Sequence, residues 1–240
     1  MRCDFYWRAF APIFFFAGAL LLPAHANAAG GAYAVDDVEI GKPGDCKVES
    51  WVSFASNHDL NAVTSPACVV KLGIPVELGA QLQRARSGDV WTTTGGVKGK
   101  LNLIPVDNNR IGLGLSGGTN WNLNSGANTG GFVNIPVTFQ VLETFRINVN
   151  GGWQYDAVAK LHYGSWGAGF EWNLIKPVTL IGEIYGLVGP RGDPATITEP
   201  RTQLGLRLTP VSTVDLDLIW GRNIAGENAN WITVGLNLRF

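Results

Sequence analysis

From residue 46 to the C-terminus, apolar and polar side chains alternate with a period of two. The last stretch shows this most plainly. Ile232, Val234, Leu236, Leu238 and Phe240 fall on one face, and Thr233, Gly235, Asn237 and Arg239 on the other. The same rhythm sets Val214, Leu216, Leu218 and Trp220 against Asp215 and Asp217, and Leu204, Leu206 and Leu208 against Gln203, Gly205 and Arg207. A period of two marks a β-strand, whose successive side chains point to opposite faces. Five stretches (69–83, 97–116, 133–152, 168–186 and 202–221) share one plan: alternation, a short break usually carrying Pro, then alternation again. The breaks fall near residues 75, 106, 142, 176 and 210. So regular a spacing marks a repeated unit, here a β-hairpin. The count gives twelve strands, at 46–56, 61–73, 76–86, 91–104, 110–122, 129–140, 144–154, 160–174, 178–188, 199–209, 213–222 and 229–240. Short turns alternate with longer polar connections at 122–130, 189–200 and 222–230. An even number of antiparallel strands joined in this way predicts an all-β, closed barrel. Pro136 falls inside the sixth strand, cannot donate to a ladder, and predicts a bulge there.

Alternation alone does not identify the solvent, because a soluble sandwich or a lipocalin-like binder also alternates. Composition narrows the choice. Only 15% of residues are charged, the formal net charge is −1, and the chain carries 31 Gly and 9 Trp among 240 residues. That excludes a disordered chain and argues against a helical bundle or a nucleic-acid binder. Aromatic residues sit at both ends of the strands. Trp91, Trp121, Trp153, Trp220 and Trp231 lie near the longer connections, and Phe139, Phe145, Trp172 and Phe240 near the Pro turns. Two aromatic belts separated by Leu, Ile and Val match the two interfaces of a membrane. A terminal strand ending in Phe240 resembles the closing signature of bacterial outer-membrane barrels. At the other end, Arg2 and Arg8 precede the uncharged run 9–22, followed by small residues up to Ala28. This reads as a cleaved secretory signal, residues 1–28. The domain plan is therefore a signal, a short periplasmic segment (29–45) and a transmembrane barrel (46–240) in a Gram-negative outer membrane. Its Pro turns are periplasmic and its longer connections extracellular. The partners implied are outer-membrane lipid and, through the C-terminal strand, the barrel-assembly machinery.

Parity places Lys98, Lys100, Arg110, Arg146, Glu171, Glu183, Arg207, Asp215, Asp217 and Arg239 on the inner face. At a lipid-facing midplane each Lys or Arg would cost about 2–4 kcal/mol, whereas inside a barrel it can pair or be hydrated. Two arrangements follow. Basic residues on strands 4 to 7 facing Glu171 and Glu183 would set a transverse field across a watery constriction of a porin-like channel for small polar or aromatic solutes. The alternative is a structural, non-conducting barrel with its charges paired and its lumen filled; Arg207, Asp215, Asp217 and Arg239 on adjacent strands read as such a ladder. Catalytic chemistry finds no support. His162 and Ser165 stand three apart on one strand and point to opposite faces, Gly164-Ser165-Trp166-Gly167 is no nucleophile elbow, and no zinc-ligand spacing occurs. No enzyme, metal or cofactor is expected. Arg191-Gly192-Asp193 reads as a turn.

Cys46 and Cys68 are equidistant from Asn57, the centre expected for the first hairpin. They are predicted to face each other, and in an oxidising periplasm to form a disulfide. The approach to the first strand reads Asp36-Asp37-x-Glu39-x-Gly41-Lys42-x-Gly44, then Lys47-x-Glu49-Ser50-Trp51. Followed by Pro-turn hairpins, it resembles the broad family of bacterial outer-membrane barrels named for the meta-pathway of phenol degradation. That resemblance implies a channel or transport component.

Overall fold

The structure, a computed structural model, describes residues 32–106, 110–189, 200–225 and 229–240. The expected signal peptide and the Arg191-Gly192-Asp193 turn lie outside these. The strands are β1 (Cys46–Ala55), β2 (Leu60–Leu72), β3 (Ile74–Ser87), β4 (Val90–Ile104), β5 (Ile111–Asn122), β6 (Asn128–Leu142), β7 (Phe145–Asp156), β8 (Leu161–Ile175), β9 (Val178–Val188), β10 (Arg201–Val211), β11 (Val214–Asn223) and β12 (Asn230–Arg239). Each pairs antiparallel with its chain neighbours, and β12 closes on β1, from Lys47 opposite Arg239 to Ala55 opposite Trp231. Closure removes the sheet edges, so every strand has a ladder partner on each side. Strand ends fall within two residues of those read from the alternation.

The outer face is apolar. Leu204, Leu206, Leu216, Leu218, Ile232, Val234 and Leu236 are exposed, while the alternate positions Gln203, Arg207, Asp215, Asp217, Thr233 and Asn237 are buried inside. An apolar belt of this extent around a closed barrel is stable only against lipid, so the barrel crosses a membrane with its strands. Trp91, Trp153 and Trp220 are exposed at the end with the longer connections, and Phe139, Trp172 and Phe240 at the end with the short turns. Trp231 departs from the expected belt. It lies on the lumen side, its indole where a Cβ on Gly221 would sit.

Pro66 and Pro136 sit in their strands without a bulge, whereas Pro210 falls where the pairing of β10 to β11 shifts register, between Leu208 and Val211. Pro136 stays in register with β7, opposite Asn150, and the pairing of β6 to β5 lapses between Val137 and Asn134, then resumes in the same register. β2 and β3 lapse likewise around Pro66, where the Ser65 hydroxyl donates to the Ala80 carbonyl (3.2 Å). Local loss of a bond or two costs less than a shift that would turn the following side chains to the wrong face. Cys46 stands opposite Cys68 and is joined to it by a disulfide.

Two expectations about position are corrected. Arg110 is not on the lumen wall: β5 begins one residue later, and Arg110 takes φ 55° in the turn, exposed and out of the alternation. The segment before β1 is not a periplasmic lead-in. Tyr33, Val35, Asp37 and Val38 are buried within the barrel, because the wall offers partners for their backbone and side chains.

Candidate functional site: the barrel lumen

Residues 32–40 form no strand, so their peptide groups need side-chain partners wherever water is excluded. The wall supplies them. The Glu183 carboxylate accepts from the amides of Ala34 (3.0 Å) and Val35 (3.2 Å) and from Gln203 Nε2 (2.7 Å). Asn150 brackets Asp36, accepting from its amide and donating to its carbonyl, both at 2.7 Å. Thr138 Oγ1 accepts from the Val38 amide at 3.2 Å and donates to Asn148 Oδ1 at 2.7 Å.

The acids of the segment meet wall cations. Lys100 Nζ lies 2.8 Å from Asp36 and 3.0 Å from Asp37. Arg146 lies 3.5 Å from Asp37 and 3.2 Å from Glu39, while forming a two-pronged pair with Glu171 (2.9 and 2.7 Å). Burial pushes the Asp37 carboxyl up, to about 7, and Lys100 and Arg146 pull the other way. Glycines on the inner face make the berth. A Cβ on Gly112 would collide with Val38, one on Gly167 with Val35, and one on Gly205 with the Tyr33 hydroxyl. Tyr33 packs on Ile181 and Ile219, and Arg207 lies over its ring at 5.3 Å.

A second cluster lies on β10, β11 and β12. Arg207 forks onto Asp217 (2.8 and 3.0 Å), Asn237 donates to Asp217 (3.1 Å), and Arg239 pairs with Asp215. Of the expected lumen residues, the structure therefore brings together two groups, Lys100, Arg146, Glu171 and Glu183 around the segment, and Arg207, Asp215, Asp217 and Arg239 beside it. The expected opposition of basic and acidic walls gives way to direct pairing. Arg146 and Glu171 are cross-strand neighbours, and Lys100 is met by Asp36 and Asp37. Sequence reasoning did not place the Asp36-Asp37-x-Glu39 run in the lumen. One signal was available: the cross-strand neighbours of Lys100 are Glu77 and Ser116, and Glu77 already faces Lys47 (3.2 Å).

Over this layer the lumen opens into a cavity of about 810 Å³, running towards the longer connections past Asn120, Thr129, Gln154 and Arg201. Tyr33, Ala34 and Asp36 contribute to its floor. Its lower wall carries both signs: Lys47 lies 3.4 Å from Glu49, and Lys98 3.9 Å from Glu49 with its side chain about one-third exposed. Trp51, Phe132, Tyr163 and Tyr185 line it from the inward positions of their strands. Among the described residues, no group of three His, Cys, Asp or Glu is placed to hold a metal ion. His162 is on the outer face, stacked with Trp153 (5.5 Å) and Tyr155 (4.8 Å).

A closed twelve-stranded wall, apolar outside and charged within, defines an integral outer-membrane β-barrel with the porin fold. The chain belongs to the family of the uncharacterised conserved protein UCP029691, whose model matches residues 17–240. Its fold is similar to that of the KdgM porin (TM-score 0.62, 9% identity, 81% of this chain and 99% of that one). It is also similar to the NanC porin (0.63, 7%, 80% and 98%) and to the COG4313 outer membrane channel from Pseudomonas putida F1 (0.59, 12%, 85% and 98%). No curated protein matches the sequence.

Proposed function

We propose that the protein is a porin-like outer-membrane channel for small polar or aromatic solutes, its bore set by residues 32–40. The observation that carries this reading is the cavity of about 810 Å³, which leads from the longer connections to that segment. The KdgM porin has been crystallised with a disordered oligogalacturonate, a polyanion. Here the cations over the floor are matched by Glu49, Glu77 and Asp36. That balance favours neutral or dipolar solutes over polyanions. The phenolic version of the reading, implied by the resemblance at residues 36–51, draws support from Trp51, Phe132, Tyr163 and Tyr185, whose rings offer stacking surfaces beside polar groups.

Single-channel recording of the purified barrel in planar bilayers tests the proposal. Small, resolvable conductance steps are expected, reduced when a phenol is added at millimolar concentration. A membrane holding folded barrel but showing no steps above background overturns the channel reading; steps that phenol leaves unchanged overturn only the aromatic version.

A further inference from the structure

The outer face is not uniform. Most of its rows carry Leu, Ile or Val, but midway along the β1–β2 pair three of four outward residues are smaller: Ser50 opposite Thr64, and Ala62 opposite Val52. The Ser50 and Thr64 hydroxyls hydrogen-bond to each other at 3.0 Å, which lowers the polarity this floor shows to lipid. Leu82 and Leu236, each a cross-strand neighbour of the floor, stand proud on either side. The result is a groove of about 490 Å³ on the membrane face, almost wholly apolar.

The groove is headed by cations. Arg84, opposite Ala62, lines it. Arg86 stands two residues further towards the longer connections, opposite Leu60 on one side and Trp91 on the other. Both guanidinium groups lie over the Trp91 ring, at 4.9 and 5.6 Å. Arg84 donates to Thr93 Oγ1, and Arg86 donates to the His58 carbonyl at 2.8 Å. Among the described residues neither is paired with a carboxylate, and the Arg86 Nε is shielded from solvent without an acceptor. Two cations held over one indole repel each other until an anion bridges them, and a guanidinium fork matches phosphate oxygens. They sit at the level of the outer aromatic belt, where lipid headgroups lie, and the groove runs from them towards the midplane.

We propose that this groove binds one phosphate-bearing lipid of the outer leaflet, an acylated and phosphorylated sugar lipid. One acyl chain lies along Ser50, Val52, Ala62 and Thr64, and a phosphate rests on Arg84 and Arg86. The site is separate from the lumen and does not depend on whether the barrel conducts.

Native mass spectrometry of the barrel in a non-ionic detergent, titrated with lipid A, tests this. A one-to-one adduct is expected. Arg84→Gln with Arg86→Gln should weaken it about tenfold or more, the scale of losing charge-assisted bonds. Ala62→Leu should weaken it comparably by filling the groove while leaving every charge in place. Both sets of variants lie on the lipid face, and unchanged heat-modifiable gel migration verifies that they fold. Dephosphorylated lipid A should not form the adduct, and inorganic phosphate should not displace the intact lipid. The proposal is overturned if the arginine variants or Ala62→Leu keep the adduct at wild-type strength, or if free phosphate competes as well as the lipid. It is equally overturned if the groove carries a second copy of the chain, seen as a dimer that Ala62→Leu dissolves.

Discussion

The two halves of the lumen are built from the same strands and the same alternation, yet one is packed and the other open. At the short-turn end, Arg146, Glu171, Arg207, Asp215 and Asp217 are buried and cross-linked by ion pairs, and residues 33–38 pack among the inward side chains and narrow the bore. At the other end, Asn120, Gln154 and Arg201 border a cavity of about 810 Å³. The difference comes from residues 32–40, outside the repeat, not from the strands themselves. A wall of polar side chains with glycines between them is compatible with water or with a guest chain. The acids at 36, 37 and 39 decide that the packed half holds a chain.

Removing that segment should produce the largest change. Deleting residues 32–40 from the mature chain takes away the partners of Lys100, Arg146 and Glu183 and vacates the berth beside Gly112, Gly167 and Gly205. Single-channel conductance should rise several-fold. Asp37→Asn with Glu39→Gln, which loosens the same contacts without deleting backbone, should give a smaller rise. If both leave conductance at the wild-type level, the segment does not set the bore.

Stability should divide the two halves next. Arg207→Ala leaves Asp217 buried without the guanidinium that forks onto it, a loss of the order of 3–5 kcal/mol. Asn120→Ala, on the cavity wall, should stay within about 0.5 kcal/mol. Urea unfolding in detergent measures both, and equal shifts would erase the distinction between a packed and an open half.

How far the sequence reaches follows the same division. The wall was legible because a repeating period, Pro-containing turns and parity each constrain it independently, and a one-residue slip in register would invert every face. The register of β1 and β2 came from one symmetric centre, Asn57, which places Cys46 opposite Cys68. The guest was not legible. Residues 32–40 have no period, and their hydrogen bonds go to Glu183, Asn150 and Thr138, more than a hundred positions away for most. Alternation puts glycines on the inner face without saying what meets them, and several are contact surfaces for Val35, Val38 and Tyr33. Arg110 was misplaced for a local reason, a left-handed turn residue just ahead of a strand, which breaks the alternation it was counted in.

The disulfide sharpens the comparison at the base of the segment. Asp45 is exposed beside Cys46, and its carbonyl accepts from the Val69 amide at 2.9 Å, so the bridge fixes where the chain carrying residues 32–40 joins the wall. Replacing both cysteines with Ser should cost about 3 kcal/mol on the chain-entropy model for a sequence separation of 22 residues. The unfolding midpoint should fall accordingly, with only a slight rise in conductance. A conductance rise as large as that of the segment deletion would mean that the bridge, and not the ion pairs, holds the segment.

The smallest effect distinguishes two neighbouring lysines. Lys98 and Lys100 share an inward face of β4, but Lys98 stands in the open half with its side chain 31% exposed and, among the described residues, Glu49 as its ion-pair partner at 3.9 Å. Lys100 is nearly buried and lies within 3.0 Å of both Asp36 and Asp37. Lys98→Glu therefore reverses a charge on the cavity wall while leaving the segment seated. Reversal potentials under a salt gradient should shift towards cations, at nearly unchanged conductance, and the shift should shrink at high salt as screening sets in. Lys100→Glu sets a carboxylate against two others, one of them fully buried, where like charges repel strongly. The segment should lift, so conductance should rise together with the change in selectivity. If Lys98→Glu leaves selectivity untouched, the cavity wall is not on the ion path. If Lys100→Glu behaves only as Lys98→Glu does, the acids at 36 and 37 do not hold the segment down, and the packed half owes its filling to Glu183 and Asn150 instead.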